Sequence, residues 1–502
     1  MSEDTLRSPP RGNALAAKSP TLSANFNASF PKVYRPAAGY PPTIKIPRGT
    51  ANLKAQVLPR KPTGSQPGEP SCEAGGCAPA DRHTWARWYG LIMLTAIYVS
   101  NIADRYVIST LIQPIKADLH LSDAAIGFLT GSALGIVYVG MGIPLGLLAD
   151  RVERRKLIAI SVAVWSAMTA LCGLTGTFIE LLLARIGVGI GEAGGTPASQ
   201  SMMADLFPFS QRTLATTVFA LGAAAGSMLG ASGGGLIAGR FGWRAAFIAL
   251  SIPGMLIAVL ARFTLREPVR GTFDAVTDER VPSLRETLRF IRTQPSLVHV
   301  LAAAAVVTYW GWGLLWWTPA FLMRSHGLTV AQAGTLVGTV TGVAGSLGIL
   351  GSGLLIHWCG RRDPRWQLWI VGLATFLGTC LSIALYAAKS MTTATVLLWL
   401  FVPVAYLNIA PLLSFAQSLV PPRMRGLTCG LLLFGANVAN LVLAPQIIGI
   451  MSDILHDDFN TGIQSLRWAL VLTTLTGFWA TYHFWAASRN LTHNLTRAGV
   501  PL

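Results

Sequence analysis

The chain has 502 residues, of which 52% are hydrophobic and only 12% are charged, whereas a soluble globular protein carries about 25% charged residues. This composition argues against a soluble enzyme, and the large apolar fraction argues against a disordered scaffold. The net charge of +17 fits either nucleic-acid binding or the basic cytoplasmic loops of a membrane protein. Apolar runs of membrane length favour the second explanation, so no nucleic-acid partner is expected.

Residues 1–85 differ in composition from the rest of the chain. They are rich in Pro, Ser, Ala and Gly, lack apolar periodicity, and contain 11 Lys/Arg and 5 Asp/Glu. This pattern predicts a disordered, basic cytoplasmic tail. No apolar run follows Met1, so a signal peptide is not expected. A transit peptide is the alternative, although the acidic Ser-Glu-Asp start argues against it.

Twelve apolar segments follow from Trp85 onward, each near or above the roughly 20 residues that a helix needs to cross the hydrocarbon core. They lie at about 87–112, 124–148, 157–176, 181–204, 213–239, 245–263, 297–321, 330–356, 367–388, 394–418, 426–452 and 467–487. The pattern predicts an all-α polytopic membrane protein with six transmembrane helices in each of two halves, residues 86–263 and 297–488. Residues 489–502 are then a short second tail.

The long polar gap at 264–296 separates the two halves and is rich in arginine. Within it, Ser283 to Ile291 predict an amphipathic helix on the membrane surface. The gap contains Arg266, Arg270, Arg280, Arg285, Arg289 and Arg292.

The distribution of basic residues predicts the orientation in the membrane. With the N-terminus inside, the cytoplasmic loops hold sixteen Lys/Arg and the outer loops hold six, a positive-inside bias. Twelve crossings then place both termini in the cytoplasm. With no endoplasmic or lysosomal signal, the plasma (inner) membrane is the expected location.

An internal repeat relates the two halves. The segment Gly146-Leu-Leu-Ala-Asp150-Arg151-Val-Glu153-Arg154-Arg155 recurs 207 residues later as Gly353-Leu-Leu-Ile-His357-Trp-Cys-Gly-Arg361-Arg362. Two similar six-helix halves joined by a basic loop are the architecture of alternating-access transporters.

The first copy of this repeat resembles the signature between helices 2 and 3 of the major facilitator superfamily. The resemblance to that superfamily extends over residues 86–490. Asp150 and Arg151 are in place. Glu153 stands where the family usually has Gly, and His357 replaces the acidic residue in the second copy. The resemblance implies that Gly146, Asp150 and Arg151 form a cytoplasmic gate.

Within the superfamily, the chain resembles the Spinster-like group. The residues that carry this resemblance are Asp104-Arg105-Tyr106, Pro114-Ile-Lys116, Leu121-Ser-Asp123, Arg185 to Ala193, and Arg266-Glu-Pro-Val-Arg-Gly271. The resemblance implies a transporter of amphiphilic lipids, such as lysophospholipids or sphingoid phosphates. The expected partners are the lipid bilayer and a small-molecule or lipid substrate, and the chain is expected to act as a monomer.

Away from the ends of the apolar segments there are four charged residues: Asp104, Arg105, Arg185 and Glu192. An ionisable side chain at the bilayer centre costs about 2.5–3.5 kcal/mol on insertion scales, so such residues usually face the bundle interior and are paired. Arg185 and Glu192 are seven residues apart and therefore share one helix face. Counting residues from the helix ends puts Asp104 between them in depth, which predicts one charge cluster.

This cluster has two interpretations. One is a buried ion pair that only holds helices together. The other, which the Spinster resemblance also implies, is proton coupling, because the proton affinity of a buried carboxylate changes when its arginine partner changes. We expect Asp104 and Glu192 to be protonated and Arg185 to be the competing cation. The proton would then be the coupling ion, with no other cofactor.

A second set of residues predicts the wall of a cavity. Tyr309 and Trp310 lie deep in helix 7 and suit an apolar substrate, whereas Trp316 and Trp317 are more typical of the membrane interface. Asn408, Asn437 and Asn440 either reach the cavity or form hydrogen bonds with neighbouring helices.

Arg154 and Arg155 are interpreted as positive charges that only set the orientation of the chain in the membrane.

Glycines recur every four residues along helix 5, at Gly222, Gly226, Gly230 and Gly234. They predict close packing against another helix. No Walker A motif, catalytic triad or metal-ligand spacing is present. The sequence therefore predicts a secondary active transporter and not an enzyme. The alternatives are an uncoupled facilitator or lipid scramblase, a transporter of drugs or organic anions, and a non-transporting receptor.

Overall fold

The computed structural model describes residues 79–149, 151–272, 282–360, 364–491 and 494–495. These residues form helices joined by short turns, and no strand occurs among them.

The first half of the bundle contains seven helices, and two π-helical turns join consecutive pairs of them. They are α1 (Pro79–Leu119), α2 (Asp123–Gly127), α3 (Ala133–Ala149), α4 (Arg154–Cys172), α5 (Phe178–Leu206), α6 (Phe209–Met228) and α7 (Gly234–Thr264). A π-helical turn at Phe128–Ser132 joins α2 to α3, and another at Leu229–Gly233 joins α6 to α7. Gly242 breaks α7 into two helical segments, because its φ of 83° lies in a region open mainly to glycine.

The second half follows a short helix, α8 (Leu284–Arg292). It consists of α9 (Pro295–His326), α10 (Val330–Gly360), α11 (Pro364–Ala387), α12 (Met391–Leu407), α13 (Ile409–Ser418), α14 (Arg425–Asn437), α15 (Ala444–Asp457), α16 (Ser465–Thr474) and α17 (Thr476–Arg489). A π-helical turn at Val438–Leu443 joins α14 to α15.

Twelve helical segments of membrane length result. Among the described residues, nine continuous helical stretches are long and apolar enough to cross a membrane, some of them made of two consecutive elements. One of these stretches, Leu214–Thr264, contains the break at Gly242 and can cross twice. With α5 and the α16–α17 pair the number is twelve, as predicted from the apolar segments. The helix α1 is longer than predicted, since it begins at Pro79 and continues to Leu119. Its last turns bury Ile115 and are tied to α2 by Lys116 and Asp123.

The glycine stripe packs against α1, as predicted. A Cβ atom added at Gly230 would lie 2.3 Å from the carbonyl oxygen of Ala103, and one at Gly226 would lie 2.6 Å from that of Val99. The stripe therefore lets two backbones approach directly behind Asp104.

Replacing Gly230 with Ala is expected to lower the free energy of unfolding by about 1–3 kcal/mol, because the added methyl group meets backbone that cannot move aside. Gly233→Ala is the matched control, since its nearest neighbour would be the flexible side chain of Leu250 at 3.9 Å. Thermal unfolding in detergent would measure both. Equal melting temperatures for the two variants would contradict the close packing.

The two halves touch at one end of the bundle and separate at the other. Cβ atoms added at Gly131 and Gly449 would collide with Pro445 and Asp123 across the interface between the halves. Near the opposite end of the same helices, added Cβ atoms would meet no described residue within 4 Å at Gly140, Gly142, Gly146, Gly426, Gly430 and Gly435. The end that carries the α3–α4 turn and α8 is therefore the open end.

Candidate transport site

A cavity of about 540 Å³ lies between the two halves and has walls of different character. The wall from the first half carries most of the polar groups of the cavity, on Tyr98, Asn101, Arg105, Tyr106, Tyr138, Thr196 and Gln200, beside apolar residues that include Ile102, Val139 and Ile143. The wall from the second half is largely apolar and includes Trp312, Trp316, Leu412, Leu413, Leu433, Phe434 and Leu441, with Thr308, Asn437 and Asn440 as its polar members. Such a cavity can hold a polar head group and an apolar tail side by side.

The inner limit of the cavity is a set of hydrogen bonds between the halves. The hydroxyl groups of Tyr106 and Tyr406 lie 3.2 Å apart, and Ser109 donates to the carbonyl oxygen of Trp316 at 2.6 Å. Trp316 in turn donates from its ring nitrogen to Thr130 at 3.3 Å. These contacts separate the cavity from the closed end.

The closed end is held by a charged group that we call the Asp123 cluster: Lys116, Asp123, Arg324, Ser452 and Asp453. The Asp123 carboxylate is 2% exposed and accepts hydrogen bonds from Lys116 at 2.5 Å, from Arg324 at 2.6 Å and from Ser452 at 2.7 Å. Asp453 accepts from the backbone N–H groups of Asp123 and Ala124 at 2.9 and 2.7 Å. A carboxylate from the second half thus caps a helix of the first half.

Arg105 and Glu192 form a direct ion pair at the polar wall. Arg105 donates from Nε to Glu192 Oε2 at 2.9 Å, and its Nη2 lies 2.7 Å from the same oxygen. The guanidinium also lies over the ring of Tyr138, 4.6 Å from its centroid. Arg105 is 12% exposed and lines the cavity, whereas Glu192 is fully buried behind it.

Asp104 and Arg185 are buried beside this pair but are not paired with each other by a hydrogen bond. Asp104 accepts a hydrogen bond from Thr169 at 3.3 Å, while its Oδ1 has no hydrogen-bond partner among the described residues. All three guanidinium nitrogens of Arg185 also lack a hydrogen-bond partner there, although the residue is 0% exposed. Both Arg185 and Glu192 lie close enough to act electrostatically on Asp104.

Arg105 and Glu192 are therefore paired, and Asp104 and Arg185 are buried near them without a hydrogen bond to each other. The Glu192 Oε1 atom is also without a hydrogen-bond partner among these residues. An unpaired buried charge is costly. The atoms of Arg185, Asp104 and Glu192 that lack a hydrogen-bond partner therefore favour a second conformation in which these side chains have other partners. The sequence did not single out Tyr138 or Thr169, because neither polar group is unusual in a membrane helix.

Of the predicted cavity residues, Asn437 and Asn440 line the cavity and the other three do not. The residues of α9 that line it are Ala304, Thr308, Trp312 and Trp316, one every four positions. Tyr309 and Trp310 are therefore turned to other sides of the helix. Trp310 is buried and packs edge-on against Phe401, with ring centroids 5.3 Å apart.

Asn408 takes the alternative role of bonding neighbouring helices. It is 2% exposed, donates to the carbonyl oxygen of Val404 at 3.3 Å, and accepts from Thr375 on α11 at 3.4 Å. The prediction that Trp316 and Trp317 lie at the membrane interface is wrong. Both are buried inside the bundle, and Trp316 lines the cavity.

Part of the predicted gate lies outside the described residues. Asp150 is not described, so its part in the cytoplasmic gate stays a prediction. Gly146 lies on the open side of α3, where an added Cβ would meet none of the described residues within 4 Å, and Arg151 is exposed beyond the end of that helix.

Arg154 is not the simple topology signal that the sequence predicted. It is 2% exposed and binds Asp205 at 2.5 Å and Glu267 at 2.8 Å. Glu267 also accepts from the backbone N–H of Arg155 at 2.8 Å. The residues after α7 are thereby fastened to the α3–α4 turn and to the end of α5.

Glu153, which departs from the family pattern, is compensated locally. Its carboxylate lies 2.8 Å from Lys156 and 2.5 Å from Arg155. Hydrogen bonds from Lys156, which has the larger effect, and from Arg155 hold the pKa of Glu153 below its usual value. The charge therefore fits the turn in which the family usually has Gly.

Comparisons with known proteins agree with this fold. The profile of the Major Facilitator Superfamily matches residues 94–444. An MFS-type efflux pump from Mycolicibacterium smegmatis is 35% identical over 396 residues, 78% of this chain and 90% of the relative. A sphingosine-1-phosphate transporter from Danio rerio is 26% identical over 399 residues, 74% of this chain and 78% of the relative.

A solved structure has the same overall arrangement. It is a bacterial homolog to the human lysosomal transporter Spinster in an inward-facing and unoccupied conformation, with a TM-score of 0.73 and 29% identity, covering 82% of this chain and 98% of that chain. The chain belongs to the major facilitator superfamily and is a multi-pass membrane transporter, not an enzyme. Within that superfamily it is a member of the Spinster-like group.

Proposed function

We propose that the protein moves a small amphiphilic substrate, of the lysolipid or sphingoid type, by alternating access coupled to protons. The observation that carries this proposal is the division of the cavity into a polar wall with Arg105 and an apolar wall with Trp312 and Phe434. An anionic or zwitterionic head group would bind at Arg105, and the tail would lie against the apolar wall. The Danio rerio relative, named for a sphingoid phosphate, supports the same substrate class.

Proton coupling follows from competition for Arg105. A substrate anion that binds this arginine displaces Glu192, whose carboxylate then takes up a proton or turns to Arg185. Asp104 responds to the same change, since Arg185 and Glu192 both act on it. Two carboxylates and two arginines thus link substrate binding to protonation.

The proposed orientation places both termini in the cytoplasm of a plasma (inner) membrane, with the cavity open to that side. The excess of basic residues near the open end supports it. We also propose that a single copy of the chain carries out transport, with both of its halves lining the cavity.

Uptake into proteoliposomes, with and without an imposed pH gradient, tests the proposal. The substrates would be a radiolabelled lysophospholipid, a sphingoid phosphate, a sugar acid and a lipophilic cation. We expect the two lipids to accumulate only with the gradient. Equal flux of a lipid without the gradient would indicate a facilitator or scramblase. Transport of the cation alone would favour a drug pump, as the name of the mycobacterial relative suggests.

A further inference from the structure

The helix α8 is built to lie on the membrane surface and is not used by the transport site. Ser283 and Glu286 form a capping box at its start, with the Glu286 N–H donating to Ser283 Oγ at 3.3 Å. Thr287 and Ile291 are buried, and the helix packs against α9 and α14. The short helix therefore has one fixed face and one free face.

The free face combines two leucines with three arginines. Leu284 and Leu288 are 52% and 38% exposed, and Arg285, Arg289 and Arg292 are all exposed. At 3.6 residues per turn, the leucines lie about 40° apart, and the arginines follow within about the next 100° of the helix surface. None of the three arginines forms a salt bridge with the described residues.

The position of α8 fixes its depth at the edge of the membrane. Only Thr293 and Gln294 separate it from α9, a membrane-length helix. It also packs against α14, and Arg423, just before that helix, and Arg425, its first residue, are exposed. The leucines of the free face therefore lie at the level where hydrocarbon gives way to head groups, next to a concentration of positive charge.

We propose that the free face of α8, defined by Leu284, Arg285, Leu288, Arg289 and Arg292, is a binding surface for anionic phospholipids of the surrounding leaflet. The leucines insert beside the acyl chains while the arginines bind phosphate groups, which guanidinium groups contact through paired hydrogen bonds. Charge complementarity selects anionic over zwitterionic lipids. This surface is separate from the substrate cavity and does not depend on what the cavity transports.

Lipid-dependent stabilisation of the purified full chain in detergent tests this surface. The melting temperature would be followed during titration with phosphatidylglycerol or phosphatidylcholine, for the wild type and for the triple variant R285Q/R289Q/R292Q. We expect phosphatidylglycerol to stabilise the wild type. We expect its apparent affinity for the triple variant to be on the order of 100-fold weaker, since each basic residue near an anionic surface contributes about 1 kcal/mol.

Two further variants separate charge from structure. R285K/R289K/R292K keeps the charge and should retain most of the affinity, and R240Q/K389Q removes two exposed charges from the opposite end and should behave as wild type. An unchanged melting temperature of the triple variant in phosphatidylcholine would show that the fold is intact. Full phosphatidylglycerol stabilisation of the triple variant would overturn the proposal. So would equal stabilisation of the wild type by phosphatidylcholine or by inorganic phosphate.

Discussion

Replacing Asp104 with Asn, or Glu192 with Gln, is expected to abolish uphill accumulation of substrate in a pH gradient while leaving the protein folded. Both carboxylates are buried, and both have one oxygen without a hydrogen-bond partner among the described residues. An amide of the same shape cannot carry the proton. Asparagine at 104 can still accept the hydrogen bond of Thr169, so loss of function would come from chemistry and not from packing.

The size of the effect follows from the driving force. One proton per substrate provides 1.36 kcal/mol for each pH unit, which corresponds to about tenfold accumulation. We expect a steady-state ratio near ten for the wild type in a gradient of one unit, and near one for either variant. Exchange of labelled for unlabelled substrate without a gradient should persist in Asp104→Asn, since this variant keeps the Arg105–Glu192 pair.

Matched controls lie on the same two helices. Asp118→Asn on α1 removes a half-exposed partner of Arg244, and Glu180→Gln on α5 removes an exposed capping carboxylate. Both should accumulate substrate as the wild type does. Wild-type accumulation by Asp104→Asn and by Glu192→Gln would show that the buried charges only hold the helices together.

Replacing Asp123 with Asn is expected to shift the protein toward the conformation that is open at the opposite end. The Asp123 carboxylate is the shared acceptor of Lys116, Arg324 and Ser452. Its loss leaves Arg324, which is 13% exposed, without its partner. Removing one member of a buried ion pair costs about 3–5 kcal/mol. When this end opens, water hydrates the charges of Lys116 and Arg324. The substitution therefore destabilises mainly the conformation in which this end is closed.

A shift of this size would raise the population of the alternative state by about 100-fold or more. It can be measured as the alkylation rate of a cysteine at position 132 in a cysteine-free background. Ser132 is 4% exposed and faces the second half, donating to the carbonyl oxygen of Val442 at 2.7 Å. Asp118→Asn, which removes an ion pair within the first half, is the control and should leave the rate unchanged. An unchanged rate in Asp123→Asn would exclude the Asp123 cluster as a latch.

The parts of the fold that follow from the sequence are those that the bilayer imposes. The thickness of the hydrocarbon core, and its lack of hydrogen-bond partners for backbone N–H and C=O groups, determine the twelve helical segments. The insertion cost of charge singles out Asp104, Arg105, Arg185 and Glu192 before any contact is known. The glycine spacing identifies the face of the helix that meets α1 because a period of four residues keeps one side of a helix small.

Other features could not be predicted because they depend on contacts between distant segments. The rotation of α9 decides whether Trp310 or Trp312 lines the cavity, and composition does not fix this rotation. Arg154 looks like any basic loop residue until Asp205 and Glu267 are brought to it by the ends of α5 and α7. In the same way, Asp123 and Arg324 are 201 residues apart in the chain.

Proton movement caused by substrate is the most direct measurement of the central claim. Substrate would be added to proteoliposomes that contain the wild type, Asp104→Asn or Glu192→Gln, with no pH gradient, while the external pH is recorded in weak buffer. We expect a pH change in proportion to substrate taken up by the wild type and none with either variant. Substrate uptake by the wild type without any movement of protons would contradict the account.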